Sequence, residues 1–248
     1  MKKVIAGLGC ASVMAFATSA QAAVIVADDF ESYADTAAMQ VVWGAAGTGT
    51  LDTGLGNPGN SLLFPGGAQN QQTIATLQAS VANPIVYTVD IYDDGTSANK
   101  RATAGLRSAS VANLIEMGMY NNPSHYAVRA VLPGPSWVAF DNIVDDLGNP
   151  LNGDGLNIPV VGWHTFQVTL DGANATFTLD LNGDGNINAT KVLAAAWNAA
   201  GIDTVRLGTG LSSAGGSVNF DNVLLEQVPE PASLALMGLG GIAMLRRR

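Results

Sequence analysis

Cysteine is all but missing from this sequence of 248 residues, in which Cys10 stands alone. A single cysteine builds no internal disulfide and no Cys-based zinc site. Basic residues are scarce as well, 11 Lys and Arg against 20 Asp and Glu, for a formal net charge of -9. So few cations cannot build the Lys/Arg surface that neutralises phosphates, and nucleic acid is a poor candidate partner. Glutamate is rarer still between residues 23 and 227, where only Glu31, Glu116 and Glu226 occur. Retaining glycosidases need two carboxylates about 5 Å apart, which sandwich folds offer as alternating Glu and Asp on one strand. None of the three glutamates has such a neighbour, and Asp90 and Asp93 point to opposite faces of a regular strand. His125 and His164 stand without a nucleophile elbow or an HExxH string, and no phosphate-cradling glycine loop is present. The expectation is a protein that is not an enzyme, with glycoside hydrolase kept as an alternative.

What the chain does carry at its two ends reads as addresses. Met1-Lys2-Lys3 is a basic start, Val4 to Phe16 is uncharged and apolar, and Ala20-Gln21-Ala22 is the small-x-small pattern of a signal-peptidase site. Residues 1–22 are therefore expected to be a signal peptide, cut after Ala22, and the protein to be exported. Cys10 falls inside this segment, without the Leu three places ahead that a lipoprotein site carries. At the other end, Val228-Pro229-Glu230-Pro231 leads into an uncharged run from Ala232 to Leu245 and a stop at Arg246-Arg247-Arg248. As a helix, those 14 residues span roughly 21 Å, short of a hydrocarbon core of roughly 30 Å. Such a segment is a marginal anchor, with its arginines on the cytoplasmic side.

The string VPEPASLALMGLGGIAMLRRR, residues 228–248, resembles the PEP-CTERM sorting tail of exported Gram-negative bacterial proteins. Val228, Pro229, Glu230 and Pro231 match its signature, and the apolar segment and basic end follow in the family's order. The resemblance implies recognition by an exosortase, a membrane cysteine protease, and removal of the tail near the PEP motif. It also implies transient anchoring in the membrane and delivery to the cell surface or an exopolysaccharide matrix.

Between the ends, residues 23–227 hold six basic residues against nineteen acidic ones. That balance suits an extracellular domain binding divalent cations or neutral sugars, and disfavours anionic lipid and polyanionic polysaccharide. At 48% hydrophobic the chain is too apolar for disorder. Period-two segments dominate, divided by Gly, Asn, Asp and Pro, which is the pattern of short antiparallel strands. Tyr87, Val89 and Ile91 alternate with Thr88, Asp90 and Tyr92, and Tyr126, Val128 and Ala130 with Ala127, Arg129 and Val131. His164, Phe166, Val168 and Leu170 share a face, Asp171-Gly172 signals a hairpin, and Phe177, Leu179 and Leu181 return inward. The stretch Val218 to Leu225 changes phase between Phe220 and Val223, the mark of a bulge. Residues 191–200 read as a modest helix or loop, and residues 37–42 as another short one. Eight or more short strands without a break in composition predict an all-β protein, a single antiparallel β-sandwich of jelly-roll type spanning residues 23–227.

Three strings, Asp28-Asp29-Phe30-Glu31-Ser32-Tyr33, Trp163-His164-Thr165-Phe166 and Asn219-Phe220-Asp221-Asn222-Val223, resemble concanavalin A-like or laminin-G-like sandwiches. The resemblance implies carbohydrate binding or adhesion, with a structural calcium where the first and last strands meet. Asp29, Glu31 and Asp221 would carry that ion, solvated turn carboxylates being the plain alternative. Separately, Asp180, Asn182 and Asp184 place oxygens at positions 1, 3 and 5 of a string with Gly185 at position 6, as a calcium loop needs. The string departs from that pattern at position 12, where Lys191 replaces the bidentate Glu. A bare hairpin turn is the alternative, and Asn152-Gly153-Asp154-Gly155 repeats the same turn chemistry 30 residues earlier.

These readings predict an exported, non-catalytic surface or matrix protein that binds extracellular polysaccharide through a lectin-like sandwich, with calcium as its one expected cofactor. The alternative is a structural matrix or adhesive protein with no sugar site. Trp43, Trp137, Trp163, Trp197, Tyr92, Tyr120 and Tyr126 are the available sugar platforms. A patch of coplanar Trp and Tyr on one sheet face would support the first reading, and a bland Thr/Asn/Ser surface the second.

Overall fold

Alternating apolar and polar residues set the elements seen in the computed structural model, which describes residues 21–228 apart from 97–100, 109–113, 121–123, 132–136, 154–155, 158, 195–200 and 209–216. Residues 1–20 with Ala20, the motif residues Pro229, Glu230 and Pro231, the apolar run after them, and Trp197 lie outside the described residues. Among the described residues no helix is long and apolar enough to cross a membrane. The elements in chain order are β1 (Ala23–Asp28), α1 (Thr36–Trp43), β2 (Thr50–Asp52), β3 (Ser61–Phe64), β4 (Asn70–Leu77), β5 (Ile85–Asp93), β6 (Arg101–Arg107), β7 (Leu114–Tyr120), β8 (Ser124–Val131), β9 (Val138–Ala139), β10 (Asn152–Gly153), β11 (Leu156–Asn157), β12 (Gly162–Leu170), β13 (Asn174–Leu181), β14 (Ala189–Ala194), β15 (Ile202–Leu207) and β16 (Val218–Gln227).

The strands build two antiparallel sheets. One runs in the order β14, β13, β12, β5, β16, β3, β2, with β1 paired to β16; the other runs β4, β15, β6, β7, β8, β9. Their inner faces bury one continuous core, to which Tyr87, Phe166, Phe177 and Phe220 come from the first sheet and Ile115, Met117 and Tyr126 from the second. The predicted single sandwich is the observed fold.

The local predictions hold for physical reasons. In the β12–β13 hairpin, His164 pairs with Leu181 and Leu170 with Ala175, so both apolar rows face the core. Asp171 closes the turn, its Oδ1 accepting from the N–H groups of Ala173 (2.8 Å) and Asn174 (2.6 Å). The phase change in β16 is a bulge: its register against β5 shifts between Asp221 and Leu224, with Asn222 at φ 48°. Asp35 caps α1 through the N–H of Ala38 (2.8 Å), and Met39 and Trp43 bury its inner face.

The reading of residues 191–200 as helix or loop is corrected. Lys191 to Ala194 continue β14 and pair with β13, Phe177 opposite Lys191 and Asn174 opposite Ala194. The open edge of β13 supplies a ladder of hydrogen bonds that outweighs the helix preference of the alanines. Residues 195–200 lie outside the described residues.

Candidate functional site

On the outer face of the larger sheet, four polar residues stand in one cross-strand row. Asp180 of β13 is opposite Thr165 of β12, Thr165 is opposite Asp90 of β5, and Asp90 is opposite Asp221 of β16. The two acidic strings singled out in the sequence therefore meet on one face.

At the β16 end, the loop before β3 folds over the row. Asp221 accepts from the backbone N–H of Asn57 (2.6 Å) and of Asn222 (2.7 Å). Asp90 accepts from the side-chain amides of Asn57 (2.9 Å) and Asn222 (2.8 Å) and from the hydroxyl of Thr165 (2.6 Å). Glu31 reaches the same loop through the N–H of Asn60 (2.5 Å). Asp29 stays with its own turn, accepting from the N–H of Glu31 (3.2 Å), and lines a cleft of about 320 Å³ with Asp28 and Asn222 where β1 meets β16. Of the three expected calcium ligands, Glu31 and Asp221 thus converge on one loop while Asp29 faces the neighbouring cleft. Burial, joined by the charges of Asp90 and Glu31, pushes the Asp221 carboxyl up to about 6 against the pull of its two N–H donors.

The start of the chain is held by Asp28, which accepts from the N–H of Phe30 (2.9 Å), the indole of Trp43 (2.7 Å) and the hydroxyl of Tyr33. Burial, reinforced by Asp28, raises the Tyr33 hydroxyl above its ordinary value.

At the β13 end, the Asp180 loop is a tight turn, with Asn182, Gly183 and Gly185 at positive φ. Asp180 accepts from the N–H groups of Asp184 (3.2 Å) and Gly185 (2.8 Å), and Asp184 from Asn186 (2.9 Å). Burial raises the Asp180 carboxyl, with the charges of Asp184 and Asp146 adding to it. Lys191, at position 12, is on β14 and pairs with Asp141. Among the described residues no group of three or more His, Cys, Asp or Glu side chains stands close enough to share a metal ion.

On the core side, both histidines belong to one buried chain. His125 Nε2 lies 2.5 Å from Asp93, to which the Tyr126 hydroxyl also donates (2.8 Å). The N–H of Val160 donates to Tyr126 (2.9 Å), His164 Nε2 meets the Val160 carbonyl (2.7 Å), and the N–H of Asn182 donates to His164 Nδ1 (3.1 Å). These bonds define the His164 tautomer, with Nδ1 accepting and Nε2–H donating. Burial lowers the His164 pKa. Burial works to raise Asp93, but its bonds to His125, the N–H of Gly95 and Tyr126 outweigh that and bring it down to about 2.

The aromatic candidates divide. Trp43 and Tyr126 are in the core. Trp163 stands opposite Tyr92 on the outer face of the larger sheet, one step along from the Thr165–Asp90 pair, with ring centroids 5.5 Å apart at 60°. Tyr120 and Trp137 lie off the core against the smaller sheet, stacked 4.4 Å apart at 13°. All four of these off-core rings are half-buried.

Residues 227–248 match the family model described as the PEP-CTERM protein-sorting motif. The tail is a PEP-CTERM sorting motif. It implies export, processing by an exosortase, and sorting to the bacterial surface or membrane. No curated protein matches this chain. Among solved structures it is similar to the carbohydrate esterase vb_24B_21 from the Shiga toxin-encoding bacteriophage phi24B, at 14% identity and a TM-score of 0.53, covering 84% of this chain and 99% of that one. Also similar are domain 4 of AbnA, an extracellular arabinanase from Geobacillus stearothermophilus (10% identity, TM-score 0.49, 74% and 77% covered), and the CBM2 module of Lactobacillus casei BL23 phage J-1 evolved Dit (12%, 0.44, 86% and 98%). At these identities the likeness speaks to the fold alone.

Sequence reasoning missed Asp90 as a member of the acidic row, and Asn57, Asn222 and Asp146 as groups that bear on it. Asp90 was legible only as an alternating strand residue, because the register that sets it against Asp221 joins strands more than a hundred residues apart. Asn57 and Asp146 sit in loops, where no periodicity marks them.

Proposed function

We propose that this PEP-CTERM protein is a non-catalytic carbohydrate-binding module of the surface or exopolysaccharide matrix of a Gram-negative bacterium. The observation that carries the reading is the Trp163–Tyr92 pair, two large rings placed on an outer sheet face instead of in the core. Aromatic faces pack against the C–H faces of sugar rings, and the hydroxyls and amides beside them, Thr165, Gln167 and Thr88, match sugar hydroxyls. A binding role over a catalytic one is favoured by the carboxylates: Glu116 is held by Arg129, Asp90 and Asp93 face opposite sides of β5, and the facing pair Asp90 and Asp221 is occupied by donors from Asn57, Asn222 and Thr165. Calcium belongs to the same proposal. Asp90 and Asp221 set two carboxylates against each other without a cationic side chain among the described residues that bond them, and the charges of Asp184 and Asp146 bear on Asp180, chemistry that suits a hard cation. In either place the ion would neutralise buried carboxylates and fix a loop beside the aromatic pair.

Affinity electrophoresis in gels cast with neutral polysaccharides tests the reading. The exported protein should be retarded and W163A released; equal retardation of both would remove this face from the site. The structural-matrix alternative draws on Thr88, Thr169, Thr176 and Thr178, a threonine surface toward the other end of the same sheet face, and predicts no retardation by any glycan.

A further inference from the structure

The outer face of the smaller sheet has the opposite character. Of the six basic residues between 23 and 227, four project from it: Arg101, Arg107, Arg129 and Arg206. Arg206 of β15 is opposite Gly105 of β6, Gly105 is opposite Glu116 of β7, and Glu116 is opposite Arg129 of β8. Arg101 and Arg107 share the Gly105 side of β6, since Ala102, Ala104 and Leu106 alternate with them into the core. A Cβ at Gly105 would stand 2.3 Å from the Ile115 carbonyl. The Glu116 Cγ would lie 3.1 Å from the same Cβ, so the Glu116 side chain covers the gap beside Arg206.

The aromatic pair on this side holds arginines in place. Arg129 lies over Trp137 (5.0 Å to the ring centroid), Trp137 stacks on Tyr120, and Arg101 lies over Tyr120 (5.2 Å). Each ring is thus occupied by a neighbour; Arg101, Arg107 and Arg129 are half-buried and Arg206 is buried. Among the described residues Glu116 is the single carboxylate in register with any of the four arginines, and it is spent on Arg129. Arg206 is 6% exposed and its Nε lacks a hydrogen-bond partner; Thr103 Oγ1, on the same side of β6, is 1% exposed and equally unpartnered. Burial, together with Arg107 and Arg129, makes Arg206 a weaker base than usual. Unmade hydrogen bonds on a buried cation cost stability, and an anion at this place would relieve both the charge and the missing bonds.

We propose that this arginine face binds an anionic glycan, a sugar chain bearing carboxylate or sulfate groups, with Arg206 and Arg107 as its principal contacts. The proposal rests on the carbohydrate-binding reading and specifies a second ligand class on the opposite sheet. It also revises the inference from total charge, which disfavoured polyanions. The acidic excess of the chain says nothing about a face on which four arginines meet one glutamate.

Affinity electrophoresis of the purified exported protein in gels containing a polyuronate, a sulfated polysaccharide or neutral dextran tests it, each at low and high salt. Retardation by the uronate or sulfated gel should weaken steeply with salt, and R206Q and R107Q should each lose about tenfold or more in affinity, the scale of one charge-assisted contact. W163A should keep its anionic retardation. Half-exposed Arg107 is the safeguard if R206Q fails to fold, as a thermal melt would show. The uronate and sulfate arms separate the two sources of negative charge. Retardation by neutral glycans alone would overturn this proposal and leave the general reading intact, whereas no retardation in any gel would overturn both. Undiminished anionic binding by both variants, or salt-sensitive self-association in sedimentation with no effect of glycan, would also overturn it.

Discussion

Asp90 and Asp221 face each other directly across β5 and β16, two carboxylates in one register position. Like charges so placed repel, and the pair is tolerated because Asn57, Asn222 and Thr165 surround it with donors. The arrangement makes the junction of the first and last strands sensitive to protons and to cations.

The proton sensitivity has a definite sign. The folded Asp221 carboxyl titrates at about 6, above its ordinary 3.8, so the folded state binds the proton more tightly than the unfolded one. Its contribution to stability is fully present below pH 3.8 and is lost as pH rises through about 6, amounting to about 3 kcal/mol at most. In chelator, D90N should lose the part of this pH dependence that comes from the facing charge, while burial of Asp221 keeps the rest. Denaturant unfolding of D90N and the parent between pH 4.5 and 7.5 measures it, and parallel curves would refute the coupling.

His164 works in the opposite direction. Its pKa is lowered below 6.5 in the folded state, so its contribution is present above pH 6.5 and is lost as pH falls below it. Protonating Nδ1 also removes the acceptor for the Asn182 N–H. H164Q should therefore lose less stability than the parent between pH 7 and pH 5, and the exchange rates of the backbone amides of residues 182–185 should become less pH-dependent.

Asp28 binds the N-terminal turn to α1 through Tyr33 and Trp43. D28A strands the Trp43 indole N–H in the core, at a cost of about 1–3 kcal/mol, and the midpoint of chemical unfolding should fall accordingly. An unchanged midpoint would mean that water replaces the carboxylate.

Phe166 is fully buried among Tyr126 and Phe140. F166A should destabilise the sandwich by about 3–5 kcal/mol. F166L, which keeps most of the volume, should cost far less, and the two midpoints together separate cavity formation from loss of an aromatic contact.

Much of the sandwich was legible in the sequence because period-two alternation is a direct image of a two-faced sheet: the rows His164 to Leu170 and Phe177 to Leu181 are where alternation put them. The bulge at Asn222 was legible as a break in phase. Residues 191–194 were misread because an alanine-rich segment carries its own helical preference, while the edge of β13 that captures it appears only in the fold. Asp180 was legible in an oxygen-rich turn, and Asp221 only through the resemblance to concanavalin A-like sandwiches, together with Asp29 and Glu31. The membership of Asp180 and Asp221 in one row, and the gathering of four arginines on the opposite sheet, depend on strand order, which local sequence does not encode.

The most direct test is binding of the exported protein to a broad panel of purified polysaccharides, in calcium and again in chelator, with W163A alongside. The predicted result is retention of the parent on at least one glycan, lost in W163A, and weakened by chelator as the loops beside Asp221 and Asp180 loosen. A protein that melts cooperatively yet is retained by none of the panel would contradict the carbohydrate-binding assignment and favour a structural matrix component.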